Sequence, residues 1–196
     1  VDKLAIVIGI ADYPGTENDL ACSRYDATDW YNYLASRGFQ IKVLGDGHAS
    51  SYPDYHDDAN RLTIHNYFKY MLSVAGSNDI VAFTFAGHGF SSNDGGGDSM
   101  LFTFDNAGYT DDDMASALND NPGVGNIFMF LHACNSGGMG PEAMASANGN
   151  AIYMSTASEA DQYGYEMPSW QQGLWTWYFL EDGLKDHYNG QNPSME

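Results

Sequence analysis

The chain has 196 residues, 43% hydrophobic and 14% aromatic, which is enough for one compact domain over 1–196 and too apolar for a disordered chain. Its net charge is −19, from 26 acids against 7 bases. That excludes nucleic acid as a partner, because phosphate binding needs a basic face, and no apolar run reaches the roughly 18 residues of a membrane span.

Two readings of the acidity stay open. One is a solubilising surface suited to salty, calcium-containing or extracellular surroundings. The other is attraction of basic substrates. The two cysteines, Cys22 and Cys134, are too few for a disulfide scaffold. If one of them works as a thiolate, they are not paired with each other. The sequence starts at Val1 without a Met or a signal-type leader, as a trimmed secreted protein or an excised segment would. The scarcity of lysine favours a secreted or extracellular location over a cytoplasmic one, which stays open. No N-x-S/T acceptor is present.

Apolar runs alternate with amphipathic segments. Residues 3–10, KLAIVIGI, predict a buried strand. Residues 24–37 place Tyr25, Trp30, Tyr33 and Leu34 near helical spacing, and Gly38 is the expected left-handed stop. FQIKVL (39–44) alternates like a second strand, and the polar stretch with Pro53 reads as a loop. Residues 60–75 predict a helix. DIVAFTFAGHG (79–89) is a third strand running into a glycine turn, followed by an acidic loop, SSNDGGGD, and a short extended piece, MLFTF (100–104). DDDMASAL (111–118) opens with acids, which suits a helix N-terminus. NIFMFLHA (126–133) and NAIYMSTA (150–157) predict the fourth and fifth strands, and residues 171–184 an apolar helix. Within and beside that helix, Trp170, Trp175, Trp177, Tyr178 and Phe179 are dense. They suit either a core helix with one exposed face or the wall of a groove. This order implies an α/β fold with a mostly parallel central sheet and helices on both faces. Ligands then sit beyond the carboxyl ends of the strands.

Two motifs lie at that edge. The third strand ends in Gly87-His88-Gly89, and the fourth in Ala133-Cys134-Asn135-Ser136-Gly137-Gly138. A thiol must become a thiolate to attack a carbonyl, and an imidazole can take its proton. Glycines beside the His allow close approach of the backbone and leave the Gly89 amide available to an oxyanion, together with the amide of Cys134. Other signals fail. GVGNIF (123–128) lacks the third glycine of a dinucleotide loop and precedes its strand. No G-x-S-x-G elbow or zinc spacing occurs. His48, His56 and His65 are scattered and read as surface residues.

KLAIVIGIADYPG, then L-x5-DA at Leu20 to Ala27, then FTFAGHG and LHACNSGG, follow in the order of caspases, metacaspases and their prokaryotic relatives, and the sequence resembles that family over nearly its whole length. GLWTWYFLEDGL is similar to the helix after the fifth strand in prokaryotic members. The resemblance implies a three-layer caspase-like sandwich. It also implies a His88–Cys134 dyad, Gly89 as oxyanion donor and a polypeptide substrate cut after one preferred side chain, often with self-cleavage. In metacaspases an acidic pocket takes Arg or Lys, and Asp26 matches one of its acids. The second acid lies two residues before the catalytic Cys, where this chain has His132. Metacaspases can carry Ser two residues before the catalytic His, where Ala86 stands here. Caspases have Gln at the position of His132 and bind Asp with an Arg that has no counterpart in the first loop. A basic P1 residue is therefore expected, with Asp26, His132 and Ser155 as substrate-binding positions. The bland alternative for Asp26 is an acid at a helix start, held by backbone amides.

No cofactor is required by this chemistry. Calcium stays open, because metacaspases can depend on it and Asp94 and Asp98 flank three glycines. The spacing of Gly190 and Glu196 hints at an EF-hand, but Lys185 and His187 would fill its early ligand positions. Two rivals remain: a caspase-fold binding or assembly protein with an idle dyad, and a calcium-regulated zymogen that cuts only itself. Relatives often continue past this point, so truncation or processing at Glu196 stays open, as does the oligomeric state.

Overall fold

The computed structural model describes residues 1–91 and 98–187. Asp94, Gly190 and Glu196 therefore lie outside the described residues. A six-stranded parallel sheet forms the centre, built from β1 (Lys3–Gly9), β2 (Gln40–Gly45), β3 (Tyr55–Asp58), β4 (Ile80–Ala86), β8 (Asn126–His132) and β9 (Ala151–Thr156). Their order across the sheet is β3-β2-β1-β4-β8-β9. A small antiparallel sheet of β5 (Gly89–Ser91), β6 (Ser99–Phe102) and β7 (Gly108–Thr110) follows β4.

Continuous apolar runs form the middle strands because helices cover both faces. Alternate residues of β1 show this. Ile6 and Ile8 enter one core with Ile64, Phe68 and Leu72 of α2 (Arg61–Val74) and Met114 of α3 (Asp111–Asn119). Ala5 and Val7 enter the other core with Trp30 and Leu34 of α1 (Ser23–Ser36). On that second face Trp30 stacks on Phe130 at 4.5 Å, and Trp175 stacks on Phe179 at 5.1 Å. Such pairs add about 0.5–1.5 kcal/mol beyond the area they bury. Of the dense aromatic segment, Trp175 and Phe179 are half-buried against this core, whereas Trp170 and Tyr178 are exposed.

Helix ends follow their sequence signals. Gly38 takes φ 81° after α1, the left-handed stop its position suggested. Thr110 and Asp113 form a capping box that starts α3. Three segments differ from expectation. The polar loop contains β3, which pairs with the end of β2 as an edge strand. Residues 171–184 are not one helix. Gln172–Gly173 form β11, paired with β10 (Glu166–Met167), before a short helical turn (Leu174–Thr176) passes into a wide π-type helix over Trp177–His187. His56 and His65 are half-buried rather than surface residues; the His56 ring accepts the Val43 amide at 3.3 Å. Among the described residues no helix is long and apolar enough to cross a membrane.

Candidate active site

β4 and β8 are neighbours in register, with Ala86 opposite His132. The ladder runs one step further, because the Gly87 amide donates to the His132 carbonyl at 3.1 Å. His88 and Cys134 each lie two residues past that last pair. They therefore emerge level, at the carboxyl edge of adjacent strands, where the sequence placed them.

The loop after β1 sets His88. Its amide donates to the Tyr13 hydroxyl at 2.9 Å, and the two rings pack at 4.9 Å. Burial pushes the Tyr13 phenol well above its ordinary range, so it stays protonated. On the ring, Nε2 lies 2.8 Å from the Asn18 carbonyl. A carbonyl only accepts, so Nε2 carries the hydrogen and Nδ1 keeps the lone pair that a base needs. Neither Tyr13 nor Asn18 was foreseen as a site residue. Tyr13 adjoins the first strand in the family-like KLAIVIGIADYPG stretch, but Asn18 acts through its main chain and leaves no side-chain signal.

Cys134 is half-buried and leads into the turn Ser136–Met139. Asn135, with φ 55°, makes the left-handed step after it and donates its amide to the Gln162 carbonyl at 2.8 Å. Gly89 lies directly against the Cys134 backbone. A Cβ there would run into the Cys134 carbonyl oxygen and stand 2.9 Å from the Ala133 Cβ. The Phe102 amide donates to the His88 carbonyl, and Gly89 opposes Leu101. Gly89 is therefore in a non-hydrogen-bonded pair, and its N–H points away from β6. Cys22 differs from Cys134 in every respect that matters. It is fully buried, and that burial, with Glu166 and Asp26 nearby, pushes its thiol up to about 12. Both cysteines are free.

Asp26 and His132 meet on the α1 face of the sheet, and Ser155 lies on that same face. Ser155 opposes Phe130 in register and so shares a face with His132. Asp26 is 1% exposed and receives the Gly173 amide at 2.9 Å. His132 Nδ1 lies 3.1 Å from the Thr176 hydroxyl and 3.5 Å from the Asp26 carboxyl. This is a neutral pair and not an ion pair. Burial pushes the Asp26 carboxyl up to about 8, and burial pulls the His132 imidazole down to about 4. Sequence reasoning missed Glu166, which sits half-buried beside this pair. Its carboxylate accepts the amides of Ala21 at 2.9 Å and Cys22 at 2.8 Å, and so holds the start of α1.

The pair makes stability depend on pH in a defined sense. Between pH 4 and 8 the folded chain keeps a proton on Asp26 that the unfolded chain releases, so stability falls as pH rises. Between pH 4 and 6.5 the unfolded chain holds a proton on His132 that the folded chain lacks, which acts in the opposite direction. Above pH 6.5 the Asp26 effect stands alone, at up to about 1.4 kcal/mol per pH unit. The midpoint of urea unfolding should therefore drop between pH 6.5 and 8.5 in the native chain. In Asp26→Asn that slope should flatten, and an equal slope in both would refute the neutral pair.

Carboxylates also gather behind the small sheet. Glu142 is raised chiefly by Asp111, with Asp112 and Asp98 also contributing. Yet among the described residues no three His, Cys, Asp or Glu side chains converge to hold a metal ion. The described acids alone do not make a calcium cage.

A parallel sheet that brings His and Cys to one edge, with Gly89 packed against the Cys134 backbone, defines a caspase-type peptidase architecture. The caspase-domain family model matches residues 2–191, and the chain belongs to that family. No curated protein matches the sequence. Two solved structures share the fold. A protein of Geobacter sulfurreducens is 17% identical with a TM-score of 0.72, over 94% of this chain and 83% of that one. Caspase-1 of Spodoptera frugiperda is 12% identical with a TM-score of 0.61, over 92% and 68%.

Proposed function

We propose that this chain is a cysteine endopeptidase that works through an acyl-enzyme. The observation that carries the reading is the level placement of His88 and Cys134, with His88 Nε2 committed to the Asn18 carbonyl. In the first step the Cys134 thiol proton passes to His88 Nδ1, and the thiolate adds to the scissile carbonyl carbon. The amides of Gly89 and Cys134 receive the oxyanion. Collapse breaks the C–N bond as His88 returns the proton to the leaving amine. Water then hydrolyses the thioester with His88 again as base.

A basic P1 side chain is part of the proposal. Asp26 and Glu166 give the floor of this region an acidic character, and Asp29 lies close enough to raise Asp26 further. Because Asp26 is sealed and largely protonated at neutral pH, a cationic P1 group has to open the pocket and displace that proton. An extracellular place of action fits the charge of −19.

The test is a panel of fluorogenic peptides with Arg, Lys, Asp or Asn at P1, each with and without added calcium. Cleavage after Arg or Lys is expected. Cleavage only after Asp or Asn would keep the dyad and overturn the pocket. The sealed Asp26 favours one second reading, a chain that must rearrange before it cuts. In that case alkylation of Cys134 by a small thiol reagent proceeds while peptides survive.

A further inference from the structure

A second acidic cleft opens at the same sheet edge, beside β1 and β2. It has a volume of about 230 Å³ and is bordered by Asp12, Asp19, Leu20, Asp46 and His48. Its floor is Asp46, 3% exposed, just past β2. One carboxylate oxygen of Asp46 is fully used. Oδ2 accepts the amides of Ala11 at 2.8 Å and Asp12 at 2.9 Å, and the Tyr52 hydroxyl at 2.6 Å. Burial alone would raise this carboxyl, but those bonds outweigh it and hold it below the ordinary range. The other oxygen, Oδ1, is buried without a hydrogen-bond partner among the described residues. His48 Nδ1 stands 3.6 Å from it, and 3.3 Å from the Asp12 carboxylate.

A buried, ionised carboxylate with an unused acceptor is costly unless a donor arrives. Because this carboxylate is ionised, a cationic donor would satisfy that oxygen best. No three side chains converge for a metal among the described residues, so an ammonium or guanidinium fits better than an ion. Arg24, on the rim, does not fill the place; its guanidinium donates to the Tyr25 hydroxyl and lies over that ring at 4.8 Å.

The cleft shares its walls with the seat of His88. Ala11 and Asp12 lead into Tyr13, which receives the His88 amide. Asp19 and Leu20 follow Asn18, whose carbonyl holds the His88 ring. In the sheet, β1 and β2 lie on the side of β4 opposite β8, which carries Cys134. The acyl half of a substrate must stay over Cys134. The leaving amine takes its proton from His88, so the chain that departs runs over His88 toward β1 and β2.

Resting on the peptidase reading, we propose that this cleft is a subsite for a lysine or arginine side chain on the leaving side of the scissile bond, bound by Asp46 with Asp12 and His48 at its mouth.

The experiment uses quenched-fluorescence peptides with one acyl-side sequence and Lys, Arg, Ala or Glu scanned through the first three leaving-side positions. At one position Lys or Arg should raise kcat/KM at least tenfold over Ala. In Asp46→Asn the Lys-to-Ala ratio should fall to within twofold of unity. The ratio is taken within one enzyme preparation, so loss of folded protein cancels. If Asp46→Asn does not fold, the double variant Asp12→Asn with His48→Ala alters only exposed side chains and should lower the ratio threefold or more. Cleavage of a coumarylamide substrate, which has no leaving-side residue, separates the two ideas. A chain that cuts it but treats all leaving-side residues alike overturns the subsite alone. A chain that cuts neither substrate class overturns the peptidase reading and the subsite with it.

Discussion

Cys134→Ala is expected to lower peptide cleavage by about 10⁴-fold or more, and His88→Ala by at least about 10³-fold. The two losses should not add. Once the thiolate is gone the imidazole has no proton to accept from it, so the double variant should be no slower than Cys134→Ala within about threefold. The same geometry predicts a labelling pattern. A thiol reagent meets Cys134 at a half-open edge, whereas Cys22 lies in the core with its thiol pushed up to about 12. At pH 7.5 a limiting amount of iodoacetamide should therefore modify Cys134 at least tenfold faster than Cys22. The preference should shrink in His88→Ala, because the residue that shares the proton is missing. Equal labelling of the two cysteines, with cleavage unchanged by Cys134→Ala, would remove the dyad from consideration and favour the binding or assembly reading.

The parts of this picture that were legible in the sequence share a physical cause. β1, β4 and β8 are covered on both faces, so they appear as unbroken apolar runs, and glycines mark where β1 and β4 stop. The two motifs follow directly on β4 and β8, and their position after adjacent apolar runs sets His88 and Cys134 at one edge. β3 has no such pattern. Its residues, Tyr55 to Asp58, lie at the sheet's edge and are at most half-buried, so polar side chains suffice and pairing with β2 alone makes the strand. The supports of the site were hidden for another reason. Tyr13, Asn18 and Glu166 act on His88, Ala21 and Cys22 from far along the chain, and three of these four contacts end on main-chain amides, those of His88, Ala21 and Cys22. His132 was legible as a departure from an acidic pocket, but its neutrality was not. That property comes from burial against Asp26 and Thr176, which no spacing encodes. The segment 171–184 reads as one helix by composition. It begins as β11 because the Gly173 amide is needed at the Asp26 carboxyl.

That last contact predicts a large loss of stability. A Cβ on Gly173 would overlap the His132 ring at Cε1 and Nδ1 and come within 2.6 Å of the Asp26 carboxylate. None of these atoms is the free end of a flexible side chain. His132 is fixed by Thr176 and Trp175, and Asp26 is 1% exposed. Gly173→Ala must then either push the His132 ring off the sheet or lift β11 away from α1. Lifting β11 takes the amide from Asp26 and leaves a buried carboxyl unsatisfied. Overpacking of this kind costs about 3 kcal/mol. For a chain of this size that corresponds to a fall in Tm of roughly 6–12 °C. Gly140→Ala is the matched control, since its Cβ would meet only Met154 Sδ, at 3.8 Å, in a helix. Pro141 follows it and disfavours a Cβ in the helical region at 140, so Tm should fall slightly, and by less than in Gly173→Ala. His132→Ala removes the ring that the new methyl strikes, so combining it with Gly173→Ala should cost at least about 1 kcal/mol less than the two single changes added together. Simple additivity would mean that the strain lies in the backbone of β11 and not against His132. In that event the closed Asp26–His132 arrangement would not be what holds β11 down.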